Sequence, residues 1–354
     1  MDPRSLASRA KSLALEVGFD LAGVASAQAP RELAFFAEWV SRGYAGEMAY
    51  LTSQVERRSD LRTAFPWARS VISVALQYDT PHPYSSEEAP PRRGWIARYA
   101  WGDDYHDVVK AMLERLVQRL AAEAGPFRSR VYADTGPIAE RAYAAAAGIG
   151  AWGKNTCLLH PEHGSWFFLG EAVTDLEMAA DAPLPDMCGS CTACLEACPT
   201  GALPAPYVLD ATRCISYLTI ELRGGIPADQ REGLGRHVFG CDICQDVCPW
   251  NSKRRRRGPA CFEPRAGAAA PDLAELARLD QASFSERFRK SAVKRTRRRG
   301  LLRNVAVALG NAGDASHVPV LERMAEDPDP LVREHALWAL GKLTGRRREG
   351  GAPA

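Results

Sequence analysis

No apolar run in this 354-residue chain reaches the roughly 18 residues a membrane-spanning helix requires. The opening stretch, MDPRSLASRAKSLALEVGFD, carries basic residues but no compact apolar centre with a small-residue cleavage site. It reads as an amphipathic helix and not as a secretory signal, and the expected location is the cytoplasm. A dinucleotide fingerprint is also missing. GIGAWG (148–153) has the G-x-G-x-x-G spacing, but it follows an Ala-rich helix where a strand is required. Strong overall charge is absent too, at a net +2. What is plentiful is cysteine, ten residues of it. In a reducing compartment that number points to metal ligands or redox groups, not disulfides.

The small net charge hides an uneven distribution. Residues 251–300 hold fifteen Lys/Arg against five Asp/Glu, concentrated in KRRRR (253–257) and KRTRRR (294–299). Such blocks suit a polyanion, because each phosphate contact releases counterions; the competing view is a solvated charge run.

Along residues 1 to about 180, helices and strands alternate. SVISVALQY (70–78), RSRVYAD (128–134) and SWFFLGEAVTD (165–175) predict strands. DVVKAMLERLVQRLAAE (107–123) predicts a helix with Val109, Met112, Leu113, Leu116, Val117 and Leu120 on its apolar side. RAYAAAAGIG (141–150) predicts a shorter helix closing on glycine. This mixture gives an α/β or α+β domain. DAPLPD (181–186) is a Pro-rich linker, and LLRNVAVALGNAG and LVREHALWALGKLT form an approximate repeat of the HEAT kind. The expected units are 1–180, 181–260 and 261–354.

The cysteines carry the sharpest chemistry. CGSCTACLEACPTGA (188–202) spells C-x2-C-x2-C-x3-C-P, the run of bacterial ferredoxins, whose fourth cysteine serves a neighbouring cluster. A shorter second motif, GCDICQDVCPWN, covers 240–251. Crossing the two places Cys188, Cys191, Cys194 and Cys248 on one [4Fe–4S] cluster. Cys198, Cys241 and Cys244 take the other, with Cys214 as the candidate fourth ligand. Cys157 and Cys261 are left as plain thiols. Structural zinc is the rival, but it needs only C-x2-C pairs and does not account for the third cysteine or the repeated Cys-Pro.

VYADTGPIAERAYAAAAGIGAWGKNT (131–156), GSWFFLGE (164–171), RCISYLTIE (213–221) and GCDICQDVCPWN, in this order with the ferredoxin run, resemble the epoxyqueuosine reductases over essentially the whole chain. The resemblance implies an α+β protein in three parts. These are an N-terminal α/β cobalamin-binding domain similar to that of reductive dehalogenases, a dicluster ferredoxin-like domain and a HEAT-like tRNA-binding tail. It further implies reduction of the epoxide of epoxyqueuosine at the tRNA wobble position to the cyclopentene of queuosine. Electrons would pass through the two clusters to cobalamin, with Asp134 as proton donor at a raised pKa. Asp104-Tyr105-His106 begins a D-x-H-x-x-G motif that is not completed, so cobalamin is expected base-off without a histidine below the metal.

Carried over residue by residue, the resemblance places Arg57 (or its neighbour Arg58), Asp134, Asn155, Leu158, Leu169 and Ser216 at the corrin, with Tyr105 and His106 bordering the substrate. Lys253, Arg254, Arg255, Lys294, Arg295, Arg297 and Arg298 are expected to grip tRNA. The implied partners are tRNAs with GUN anticodons (Tyr, His, Asn, Asp) and an external low-potential electron donor, the protein acting as a monomer. Two other readings compete: a cobalamin-dependent reductive dehalogenase, and a dicluster electron carrier that binds neither corrin nor tRNA.

Overall fold

The computed structural model describes residues 1–87, 90–252 and 258–345. Its N-terminal part is built on a four-stranded sheet in the order Leu21–Ser26, Ser70–Gln77, Phe167–Thr174, Ser129–Tyr132, every pair antiparallel. The class is therefore α+β. Ser70–Gln77 is buried at all eight positions, as its continuous apolar run requires of a strand covered on both faces.

Alternation along the strands sends side chains to two cores. Ile72, Val74 and Ala172 face the helices Pro3–Val17 and Tyr105–Ala124. Val71, Ala75 and Val173 face the Ala-rich helix Glu140–Ala146. The long helix is capped by the Asp104 carboxylate, which accepts the His106 amide. It buries Val109, Met112, Leu113, Leu116 and Leu120, while Val117, expected on the same face, is only half-buried. On the opposite face a Cβ at Gly23 would stand 2.0 Å from the Ala147 carbonyl oxygen, so only glycine lets the end of the short helix sit on the sheet.

The cysteine segment is held between this domain and the tail. Helices Arg297–Ala312, Val318–Met324 and Pro330–Thr344 form the C-terminal hairpins. Their core also takes in Ile96, Trp101, Val238 and Phe239, and Phe262 packs in the N-terminal core. Packing therefore crosses the unit boundaries expected from sequence. Arg303, fully buried, donates to the carbonyls of Leu218, Leu222 and Gly224 at 2.6–2.8 Å. Asn304 bonds those of Thr219 and Val238, each at 2.8 Å. These contacts satisfy a one-turn π-helix, Tyr217–Glu221, that follows Cys214.

Candidate functional site

All ten cysteines are free, and their mutual electrostatics sort eight of them. Burial raises the Cys194 thiol, with Cys188 and Cys191 adding to the effect. Burial pushes Cys248 up to about 11, with Cys188 and Cys194 contributing. Cys214 is raised by burial and feels Cys198, while Cys241 is raised by burial and by Cys214. Cys244 feels both Cys241 and Cys214. These influences fall mostly within 188/191/194/248 and 198/214/241/244, with Cys157 also felt at Cys244 and Cys248. Backbone amides point at sulfur, from Lys154 to Cys188 at 3.4 Å and from Ala202 to Cys198 at 3.3 Å. Amide donors of this kind suit cluster-bound thiolates, and a bound cation supplies the charge that deprotonates buried thiols. The donor sets fit iron–sulfur clusters.

One thiol escaped sequence reasoning. Cys157, expected to stand apart, lies near Cys244, whose thiol lowers its pKa against the effect of burial. Asn155 explains the approach: its amide donates to the Cys244 carbonyl at 3.1 Å and accepts the Cys157 N–H. Ser216 lowers the Cys214 thiol's pKa against the effect of burial. Cys261 packs beside the N-terminal core.

The second cluster of functional groups surrounds Asp134, two residues beyond the strand Ser129–Tyr132 and at φ +61°. Its side chain is 56% exposed. Tyr105 donates its hydroxyl to Asp134 Oδ2 at 2.8 Å, His106 Nε2 stands 3.4 Å from the same oxygen, and His106 Nδ1 is 2.6 Å from Asp104 Oδ1. Tyr105 stacks on Phe168, its ring 4.3 Å away, which fixes the phenol. Burial alone would raise the Asp134 pKa, but hydrogen bonds from His106 and Tyr105 and the nearby cations bring it below the ordinary carboxylate range. Burial works against a charged His106, yet its bonds to Asp104 and Asp134 outweigh that effect and lift its pKa to about 9.

The expected corrin residues divide. Arg57 is exposed on the short helix Val55–Ser59. Arg58 is the one that turns inward, lying over the Tyr50 ring and donating to the Ile138 carbonyl at 3.2 Å. Leu158 is buried and Leu169 half-buried, both on the sheet face under the Ala-rich helix. That face carries polar atoms that are buried without well-formed hydrogen bonds: Arg58 Nε, Trp152 Nε1, Ser73 Oγ and both Glu171 carboxyl oxygens. Ser73 and Glu171 are register partners, and the hydroxyl lowers the carboxyl's pKa against the effect of burial. Buried polar groups seek partners. A corrin ringed by amides offers both donors and acceptors, so these residues fit cobalamin.

Of the expected tRNA residues, Lys253, Arg254 and Arg255 lie outside the described residues. Lys294, Arg295 and Arg297 are exposed. Arg295 bonds Glu221 and covers Tyr50 with its ring 5.5 Å away, and its charge is felt at Asp134. Arg298 is a correction. It turns into the helical repeat, pairing with Asp327 at 2.6 Å and with the Leu279 carbonyl, so its charge is spent inside the tail.

Residues 58–135 match the family described as epoxyqueuosine reductase QueG, DUF1730. Residues 187–251 match the 4Fe-4S double cluster binding domain and 287–350 the HEAT repeats. The epoxyqueuosine reductase of Xanthomonas campestris is 40% identical, covering 96% of this chain and 97% of that protein. The Pseudomonas aeruginosa enzyme is 41% identical over 96% and 95%. A crystal structure of an epoxyqueuosine reductase with a tRNA-Tyr epoxyqueuosine-modified stem loop superposes at TM-score 0.88 and 34% identity, covering 96% of this chain and 90% of that one. The Bacillus subtilis enzyme, with its catalytic aspartate loop swung out of the active site, gives 0.86 and 33% over the same shares.

Proposed function

The chain belongs to the epoxyqueuosine reductase family of oxidoreductases, and from that premise we propose that it reduces tRNA-borne epoxyqueuosine to queuosine, with Asp134 delivering the proton. The observation that carries this reading is the joining, in one chain, of two four-thiolate sets to an acid-bearing pocket overlooked by Arg295. Opening the epoxide to a cyclopentene consumes two electrons and two protons and releases water. When bound, the clusters and cobalamin supply the electrons one at a time and transfer them to the substrate carbon.

The residues of the chain manage the protons and the tRNA. An alkoxide leaves poorly unless it is protonated. Asp134 is the exposed carboxyl that reaches substrate, and the charged His106 beside it is a second proton store at the same site. Asp104 fixes the imidazole through Nδ1 so that Nε2 faces Asp134. Tyr105 orients the receiving oxygen. Arg58 and the Ser73–Glu171 face take the corrin's polar groups, with Leu158 and Leu169 as apolar support. Asn155 and Ser216 steady the ligands of the second cluster.

Lys294, Arg295 and Arg297, with Lys253, Arg254 and Arg255, hold anticodon-stem phosphates of the GUN tRNAs. The wobble base is splayed into the pocket, as enzymes acting on nucleobases require. In this reading residues 1–180 bind cobalamin, 181–260 carry the clusters and 261–354 engage tRNA. A low-potential donor feeds the chain, which works as a monomer in the cytoplasm. No helix among the described residues is long and apolar enough to cross a membrane. The test is mass analysis of tRNA nucleosides after incubation with protein, cobalamin and reductant: epoxyqueuosine should lose the mass of one oxygen atom. An unchanged nucleoside from corrin-loaded, cluster-replete protein overturns the proposal.

A further inference from the structure

Asp134 has a left-handed backbone, φ +61°, a conformation that costs a non-glycine residue free energy unless its surroundings enforce it. The Thr135 N–H donates to the Ala133 carbonyl at 2.8 Å, closing a tight turn about Asp134, and a second contact ties that turn to a helix. The Asp134 N–H donates to Glu140 Oε1 at 2.5 Å, closing the turn 134–139 across its base. Glu140 opens the helix Glu140–Ala146, which is packed on the sheet, so the carboxyl projects from a fixed element toward a loop. The loop has alternatives, since the Bacillus subtilis relative is found with its catalytic aspartate loop swung out.

We propose that Glu140 is the latch of the Asp134 loop: its ionised carboxylate holds the turn closed through the Asp134 amide, and its protonation loosens the turn. This rests on the reading of Asp134 as the acid of the site. A carboxylate is a far stronger acceptor for an amide than a neutral carboxylic acid. Two negative charges this close suppress one another's ionisation. The groups facing Glu140 are Asp134 on the loop, Arg141 beside it, and Tyr105 and His106 on the long helix. Glu171 on the central strand and Arg58 on the short helix complete the set. Burial first, and Asp134's charge second, raise the Glu140 pKa to about 8. At neutral pH the latch therefore sits near its switching point and responds to the state of Asp134. Glu171, buried on the neighbouring strand, is raised well above the ordinary range by burial and by Glu140.

The experiment is amide hydrogen exchange of the full-length, cluster-replete protein, resolved at Asp134 and expressed as a protection factor against pH, beside kcat and KM for the substrate tRNA. In the wild type protection should rise as pH passes about 8, the direction expected for a carboxylate acceptor. Glu140→Gln keeps an acceptor that cannot ionise, so its protection should be flat across that range. Asp134→Asn removes the repelling charge and should move the rise to lower pH. Glu140→Ala should speed exchange roughly ten- to hundredfold, the scale of removing a hydrogen bond to a charged group, and lower kcat while KM holds. Should Glu140→Ala fail to fold, Glu140→Gln and Asp134→Asn still decide. A pH rise persisting unchanged in Glu140→Gln, or a midpoint unmoved in Asp134→Asn, overturns the latch. Loss of turnover in Asp134→Asn tests the acid separately, because exchange is read without turnover.

Discussion

The cysteine-bearing region and the Asp134 region are built on opposite plans. Around the cysteines the backbone is clamped. Arg303 and Asn304 saturate the carbonyls after Cys214. Asn251, 1% exposed, accepts the Ser165 amide and donates to the Gln245 carbonyl beside the second motif. Around Asp134 there is a half-exposed side chain, a left-handed residue and a turn closed by one carboxyl. Hydrogen bonds beyond the ligands orient thiolates and tune potentials, so a relay gains from rigidity. An acid must reach the substrate and then release product, so its loop gains from being loosely tied.

Breaking the rigid side gives the largest effect. Cys241→Ser should abolish turnover and halve the bound iron, since the second thiolate set loses a member that feels Cys214. Full iron content by chemical assay would dissolve the assigned sets. Breaking the mobile side leaves the relay untouched. Asp134→Asn should retain both clusters and corrin, read by absorbance, while kcat falls roughly 10²–10⁴-fold, the range for loss of a general acid.

Both plans were unevenly legible in the sequence. The strand over 70–77 and the helix over 105–124 followed from local periodicity. The two cysteine runs of the cluster-binding segment were visible from spacing, because a ligand run is itself local. Interactions made across the fold were not legible. Choosing Arg58 over Arg57 depends on a rotation of about 100° on one short helix, set by Tyr50 and Ile138. Arg298 reads like its neighbours in a basic run, yet Asp327, 29 residues on, claims it. The Cys157–Cys244 pair and the Glu140 latch likewise join segments through tertiary packing. The convergence of His106 and Tyr105 on one Asp134 oxygen was out of reach for the same reason.

A pH profile sharpens the proton side. His106 has its folded pKa raised to about 9 from 6.5, so it is charged below that value and loses its proton as pH rises through it. Turnover should fall along a limb near pH 9, together with any stability the charged imidazole adds. His106→Gln should remove the limb and lower kcat roughly tenfold. An unaltered limb would assign it to another group.

The smallest effect separates binding charge from structural charge within a single run. Lys294 and Arg297 are exposed and Arg295 faces the Asp134 pocket. Replacing each of the three with glutamine should weaken tRNA binding modestly and flatten the slope of log Kd against log salt by about 0.7–0.9 for each phosphate no longer neutralised. Arg298→Gln should leave that slope alone. It instead strands Asp327, whose carboxylate it meets at 2.6 Å, and should destabilise the tail by roughly 1–3 kcal/mol in chemical denaturation. If Arg298→Gln flattened the salt slope as much as Arg297→Gln, the split of this run into tRNA-facing and fold-facing arginines would be wrong, and the tail would have to bind tRNA through the surface that now carries the Asp327 pair.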